Sequence, residues 1–270
     1  MWHNERKEYK KKLDEHSPTL CLAKYTQSNM YLGSYTTHSC HYCPPHLISL
    51  EDVKKSLKSL HNTKEKIEQR KLMLEGKRPT ECNYCWRVED NGHISDRITK
   101  SFSSYSKPHL ERIIEAGPDG IDPTYLEVSF SHACNFKCAY CSPHISSKWM
   151  EEVNEFGGYP TSMRYNDIEH VIEQDKMPIL EREENPYVDA FWKWWPELYP
   201  TLHTFRITGG EPLLTKHTFR VLDYIIAHPN PELELCINSN FVVPEKLFNE
   251  FLEKVKTIQD NKFVKSFTVY

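Results

Sequence analysis

Residues Cys134-Asn-Phe-Lys-Cys138-Ala-Tyr140-Cys141 follow directly on the apolar run Tyr125-Leu-Glu-Val-Ser-Phe130, so a strand signal leads three thiols into one short loop. A structural zinc closes a tetrahedron of four ligands, whereas this motif offers three thiols with no fourth nearby. Thiolates are the usual grip on iron–sulfur clusters, and a four-iron, four-sulfur (4Fe-4S) cluster held by three cysteines keeps one iron open to an outside ligand. A second block lies downstream. Phe205-Arg-Ile-Thr-Gly209-Gly210-Glu211-Pro212 reads as a strand ending in a glycine turn, where missing side chains permit close approach and positive φ. The Glu211 carboxylate can accept hydrogen bonds from an amino group set beside it. On a purely structural reading, Glu211-Pro212 opens the helix that follows.

The C-x3-C-x2-C spacing of Cys134, Cys138 and Cys141, with the aromatic Tyr140 before the third cysteine, resembles the signature of the radical S-adenosylmethionine (SAM) superfamily. The Gly209-Gly210-Glu211-Pro212 stretch after the second strand agrees with it in order. The resemblance implies an α/β fold, a partial (β/α)6 barrel with about four strands present, preceded by a small cysteine-rich domain. It assigns the 4Fe-4S cluster to Cys134, Cys138 and Cys141. SAM contacts fall to Tyr140, to Gly209, Gly210, Glu211 and Pro212, and to Asn238, Ser239 and Asn240 at the end of the third strand. The implied activity is reductive cleavage of SAM to a 5'-deoxyadenosyl radical that abstracts hydrogen from a substrate. Its electrons would come from a low-potential donor of the flavodoxin or ferredoxin type. No side chain stands out as a general base, so no catalytic residue is assigned beyond the cluster.

The front of the chain carries further thiols. Cys21, Gly33 and Cys40, then Cys82 and Cys85, follow the order of the auxiliary-cluster modules of SPASM and twitch type, which they resemble. Cys43 is an additional thiol, the gaps differ from the usual pattern, and the module precedes the barrel. By spacing alone, Cys40, Cys43, Cys82 and Cys85 also suit a closed zinc site. A second iron–sulfur cluster and zinc therefore both remain open. Family members with such modules modify peptides, which makes a peptide the expected substrate. A non-catalytic zinc-binding interaction module, or a relative that binds cluster and SAM without turnover, is the rival reading. His38, His41, His46 and His144 are expected to face solvent, and His132 to be structural.

The chain of 270 residues suits one large domain or two smaller ones, and Gly117-Pro118-Asp119-Gly120 marks a boundary between a module over 1–117 and a core over 118–270. Net charge is only -4, with both signs mixed along the chain, so nothing points to nucleic acid or an anionic membrane. No segment approaches the roughly 20 apolar residues of a spanning helix, and Met1 to Lys7 lack a signal peptide's apolar core. A cytoplasmic setting is expected, where nine cysteines with three CxxC pairs argue for metal rather than disulfides. Residues 1–16 lack apolar periodicity and predict a frayed helix or a disordered lead. Phe191, Trp192, Trp194 and Trp195 predict a core helix that Pro196 stops. The chain ends on an apolar strand signal, Phe263 to Tyr270, which suggests a truncated barrel or one completed by another polypeptide.

Overall fold

The computed structural model describes residues 2–162, 164 and 166–270. It is an α/β protein with a mixed sheet of seven strands in the order β3-β2-β1-β4-β5-β6-β7. In chain order the elements are α1 (Trp2–His16), α2 (Ala23–Thr26), β1 (Gln27–Tyr31), β2 (Thr36–His38), β3 (His46–Leu47), α3 (Leu50–Lys55), α4 (Lys64–Leu74), α5 (Asn83–Asp90), α6 (Asp96–Ser101) and α7 (Leu110–Ala116). They continue with β4 (Tyr125–Ser129), α8 (Ser147–Phe156), α9 (Ile168–Glu173), α10 (Pro186–Leu198), β5 (Thr204–Thr208), α11 (Lys216–Ala227), β6 (Asn230–Ile237), α12 (Glu245–Asp260) and β7 (Val264–Val269). No helix among the described residues is long and apolar enough to cross a membrane.

The chain forms two compact units: Met1–Asn29, Thr37–Leu126 and Trp194–Leu202 in unit 1, and Met30–Thr36, Glu127–Lys193 and His203–Tyr270 in unit 2. Two apolar clusters of unit 1 lie among the described residues. In the larger, Tyr9 and Leu13 of α1 pack with Leu20, Leu22, Tyr25, Ile98 and Leu110. Of the frayed helix and the disordered lead that the sequence left open, the helix forms, and it is packed rather than frayed. Tyr9 and Leu13, one helical turn apart, are a two-residue stripe too short to show as a period, yet burying each contributes about 1.5–3 kcal/mol. Hydroxyls start the next helices: Ser49 accepts from the Asp52 amide at α3, and Thr63 from the Lys66 amide at α4. The smaller cluster gathers Cys21, Cys43 and Cys82 with Met73 and Trp86.

Unit 2 alternates strands and helices from β4 onward. β5 and β6 run parallel, with the buried pairs Phe205↔Leu235 and Ile207↔Ile237, and β6 pairs parallel with β7. Parallel neighbours need a crossover, which α11 and α12 supply. Asn185 caps α10 by accepting from the Tyr187 and Val188 amides. The helix does not stop at Pro196 but runs to Leu198. One lost helical hydrogen bond costs about 3 kcal/mol, and full burial of Trp194, Trp195 and Leu198 outweighs it.

Candidate functional site

In unit 2 the glycine turn lies directly against the loop that leaves β4. The Gly210 amide donates to the Ser131 carbonyl at 3.2 Å and the Glu211 amide to the Ala133 carbonyl at 2.7 Å. Gly209 has φ +117°, and a Cβ there would stand 2.2 Å from Ser129 Oγ. At Gly210 it would stand 2.1 Å from the Ala133 carbonyl oxygen. Both glycines are therefore required by the close approach of two backbones, the second of which carries Cys134 one residue further on.

The cysteine loop is fixed by the start of α8. Ser146 caps that helix and donates to the Phe136 carbonyl; Ser147 Oγ accepts from the Cys134 amide and donates to its carbonyl, both at 3.0 Å. Trp149 Nε1 donates to the Cys138 carbonyl at 2.8 Å. The backbone is thus held while Cys134, Cys138 and Cys141 stay half-exposed. Burial, then Cys138 and Cys134, push the Cys141 thiol up to about 11. A thiol raised in this way is a thiolate at neutral pH only beside a positive centre. Their sulfurs do not form a set mutually within 4.8 Å, the reach of single-ion ligands; among the described residues only Cys43, Glu81 and Cys82 do. Tyr140 is 88% exposed, turned out to solvent beside Cys138.

Glu211 is 2% exposed, and its carboxylate draws a third segment in. Oε1 accepts from the Leu213 amide at 3.0 Å and from Ser239 Oγ at 2.6 Å, and Oε2 from the Asn240 amide at 2.8 Å. Asn240 Nδ2 donates to Asn135 Oδ1 at 3.0 Å, closing a ring back to the cysteine loop. Glu211, Ser239 and Asn240 thus meet around one carboxylate, and Oε2 retains acceptor capacity for one further donor. Asn238 does not join them: its Oδ1 accepts from Arg206 at 3.0 Å. Pro212 is buried at the start of a short 3-10 turn, so a helix opening and a site role coexist here. His144 is half-buried rather than solvated; it meets Ser142 Oγ, and burial, with Lys176 adding to it, holds its pKa near 4. His132 is buried, and its carbonyl accepts from the Ser147 amide.

Unit 1 gathers all five front thiols around one pocket of about 20 Å³, lined also by Lys24, Trp86, Asp96, Arg97 and Lys100. Cys43 Sγ lies 3.8 Å from Cys40 Sγ and 4.0 Å from Cys82 Sγ. The Lys24 amide donates to the Cys21 carbonyl at 3.1 Å, and backbone amides of Lys24, Tyr42 and Arg97 near the sulfurs of Cys21, Cys40 and Cys85 favour their thiolates. Burial pushes the Cys21 thiol up and the Cys85 thiol up to about 12. Lys24, fully buried, contacts Cys43 Sγ at 3.4 Å, Gln69 Oε1 at 2.6 Å and the Glu81 carboxylate. Burial opposes its charge, but Cys82, Cys43 and Glu81 outweigh this and raise its pKa. Arg97 forms a two-pronged pair with Glu89, at 2.8 and 2.7 Å. His38 is buried, its Nδ1 against the Cys40 carbonyl, and His46 is half-buried against Thr63; only His41 is exposed. Lys24, Glu81, Arg97 and Asn135 were not singled out by sequence, since a lone charged or amide residue in a mixed-charge chain carries no spacing signal.

No family model matches the chain, and no solved structure does so significantly. Over 116 residues it is 28% identical to a GTP 3',8-cyclase of Nautilia profundicola, a stretch that is 43% of this chain and 27% of the cyclase. The match thus spans about a quarter of that relative, a distant similarity to an enzyme.

Proposed function

We propose that the chain is a radical SAM enzyme, with a 4Fe-4S cluster on Cys134, Cys138 and Cys141. The observation that carries this reading is the contiguity of three segments distant in sequence: the cysteine loop, the Gly209–Pro212 turn and the Ser239–Asn240 turn share hydrogen bonds through Glu211 and Asn240. The donor set fits the group. Three half-exposed thiols, spaced too widely for one ion, suit a polynuclear cluster with one corner left open. Distant similarity to a known enzyme supports it.

With SAM bound, such a cluster supplies a 5'-deoxyadenosyl radical that takes hydrogen from a substrate. The chain's own residues bind and orient. The Gly209 to Pro212 backbone and the spare acceptor on Glu211 Oε2 would receive the amino group of SAM, and Ser239 and Asn240 would border its ribose or carboxylate. Asn238, turned to Arg206, supports the strand end instead, and Tyr140 would cover the loop from outside.

On this reading residues 118–270 hold most of the radical SAM core, with β4 to β7 as barrel strands, and residues 1–117 most of an auxiliary module, while residues 30–36 pack in unit 2 and 118–126 and 194–202 in unit 1. An iron–sulfur centre on Cys21, Cys40, Cys82 and Cys85 is favoured there over zinc. Four thiolates about 2.3 Å from one zinc lie about 3.8 Å apart along every edge, and no four sulfurs of the pocket are so close together. A low-potential flavodoxin- or ferredoxin-type donor, a peptide substrate and a reducing cytoplasmic setting complete the proposal.

Anaerobic reconstitution followed by SAM and a strong reductant tests it. Deoxyadenosine, read by chromatography, is the expected product; its absence from protein carrying iron and acid-labile sulfide would overturn the catalytic reading.

A further inference from the structure

The thiol pocket of unit 1 holds five cysteines where one centre takes four, and it holds a buried lysine among them. In the sulfur pairs in contact among the described residues, Cys40 with Cys43 and Cys43 with Cys82, Cys43 is the common member. Leave it out, and no three of the other four sulfurs lie mutually within 4.8 Å, as suits ligands on separate corners of a cluster. The trio Cys43, Glu81 and Cys82 is tight enough for a single ion, but the Lys24 ammonium occupies it, touching Cys43 Sγ and the Glu81 carboxylate. A cation site is therefore already filled by the chain itself.

Charge supports the same assignment. Lys24, Arg97 and Lys100 line the pocket with Asp96, and Lys24 and Arg97 are in turn paired with Glu81 and Glu89. Lys24 is nonetheless the cation in contact with a thiol, Cys43 Sγ at 3.4 Å, next to a centre whose four thiolates would leave it about -2. A fixed positive charge beside such a centre also favours its gaining an electron.

We propose that Lys24 is a positioning residue of this pocket. Its ammonium retains Cys43 as a spare thiol, leaves Cys21, Cys40, Cys82 and Cys85 as the ligands, and raises the reduction potential of the centre they hold. The proposal rests on the iron–sulfur reading of the pocket.

The test uses the full chain with Cys134, Cys138 and Cys141 changed to alanine, so that only the unit 1 centre remains. Iron and acid-labile sulfide per chain are measured, and the midpoint potential is read by redox titration followed by electron paramagnetic resonance. Cys43→Ala is expected to retain iron and sulfide, whereas Cys40→Ala and Cys82→Ala lose them. Lys24→Met is expected to lower the midpoint potential, and Lys24→Arg to restore most of it; Lys24→Gln serves if the Met variant does not fold. Loss of the centre in Cys43→Ala, or an unmoved potential in the neutral Lys24 variants, overturns the proposal. Zinc in place of iron and sulfide in the triple-alanine parent overturns the underlying reading as well, and that outcome is distinct from either of the others.

Discussion

The two thiol sites of this protein are built on opposite terms. In unit 2 the three cysteines ride a loop whose backbone is pinned by Ser146, Ser147 and Trp149 while the sulfurs remain half-exposed. In unit 1 the pocket around the five thiols is walled by buried Trp86 and Met73, with backbone amides near three sulfurs and a lysine in contact with a fourth. An open site fixes geometry and leaves room for an outside ligand. A closed one fixes charge and excludes water, which suits a centre that stores or passes electrons rather than one that binds substrate.

The sharpest way to break this contrast is to remove one thiol from the open site. Cys138→Ala should abolish deoxyadenosine formation while leaving the iron of unit 1 in place, so that iron and sulfide per chain fall by about half. Loss of all iron would mean the two sites are not independent. Next comes Gly210→Ala. Its methyl would have to displace the Ala133 carbonyl, an overpacking cost of about 3 kcal/mol, seen as a melting temperature lower by roughly 6–12 °C, with SAM cleavage lost alongside. An unchanged melt would show that the turn yields without cost.

A smaller effect is expected at Glu211. Three internal donors converge on its carboxylate, and Glu211→Gln sets an amide N–H against one of them, costing about 1–3 kcal/mol. Denaturant titration reads that cost, and affinity for SAM should fall with it. Glu211→Gln with full stability and full SAM affinity would detach this carboxylate from the site.

How much of this was legible in the sequence differs between the sites for the same reason. The Cys134 loop and the Gly209 turn are local: consecutive residues at fixed spacing, each following its own strand, so that pattern alone marks them. That the Ser239 hydroxyl and the Asn240 amide would meet Glu211 while the Asn238 side chain turns to Arg206 is set by the turn that follows β6, and no spacing states it. The front pocket is assembled from residues as far apart as Cys21 and Cys85, and its lysine bonds Glu81 and Gln69 on other segments. Such contacts belong to tertiary packing. The lead helix and the persistence of α10 through Pro196 were hidden likewise, because burial of a few large side chains overrode weak local preference.

The smallest effect reports how closed the unit 1 region is. Thr63 Oγ1 accepts from the Lys66 amide at the start of α4 and shares a hydrogen bond with His46 Nε2, 2.7 Å away. Burial, then Lys66, Lys24 and His38, lower the His46 pKa to about 3, with the exposed Glu65 carboxylate 4.0 Å away too weak an offset. The folded state therefore stays neutral at His46 while the unfolded chain takes up a proton near its ordinary 6.5. Stability is present above that value and falls as pH drops below it, toward the folded pKa. Between pH 7.5 and 5.5 the loss from this one group is about 1.4 kcal/mol. His46→Gln keeps an acceptor for Thr63 and cannot titrate. At equal metal loading its unfolding free energy should decline less than the wild type's over that interval, by this amount. Identical slopes would mean that His46 protonates in place, and that water reaches the region around the thiol pocket after all.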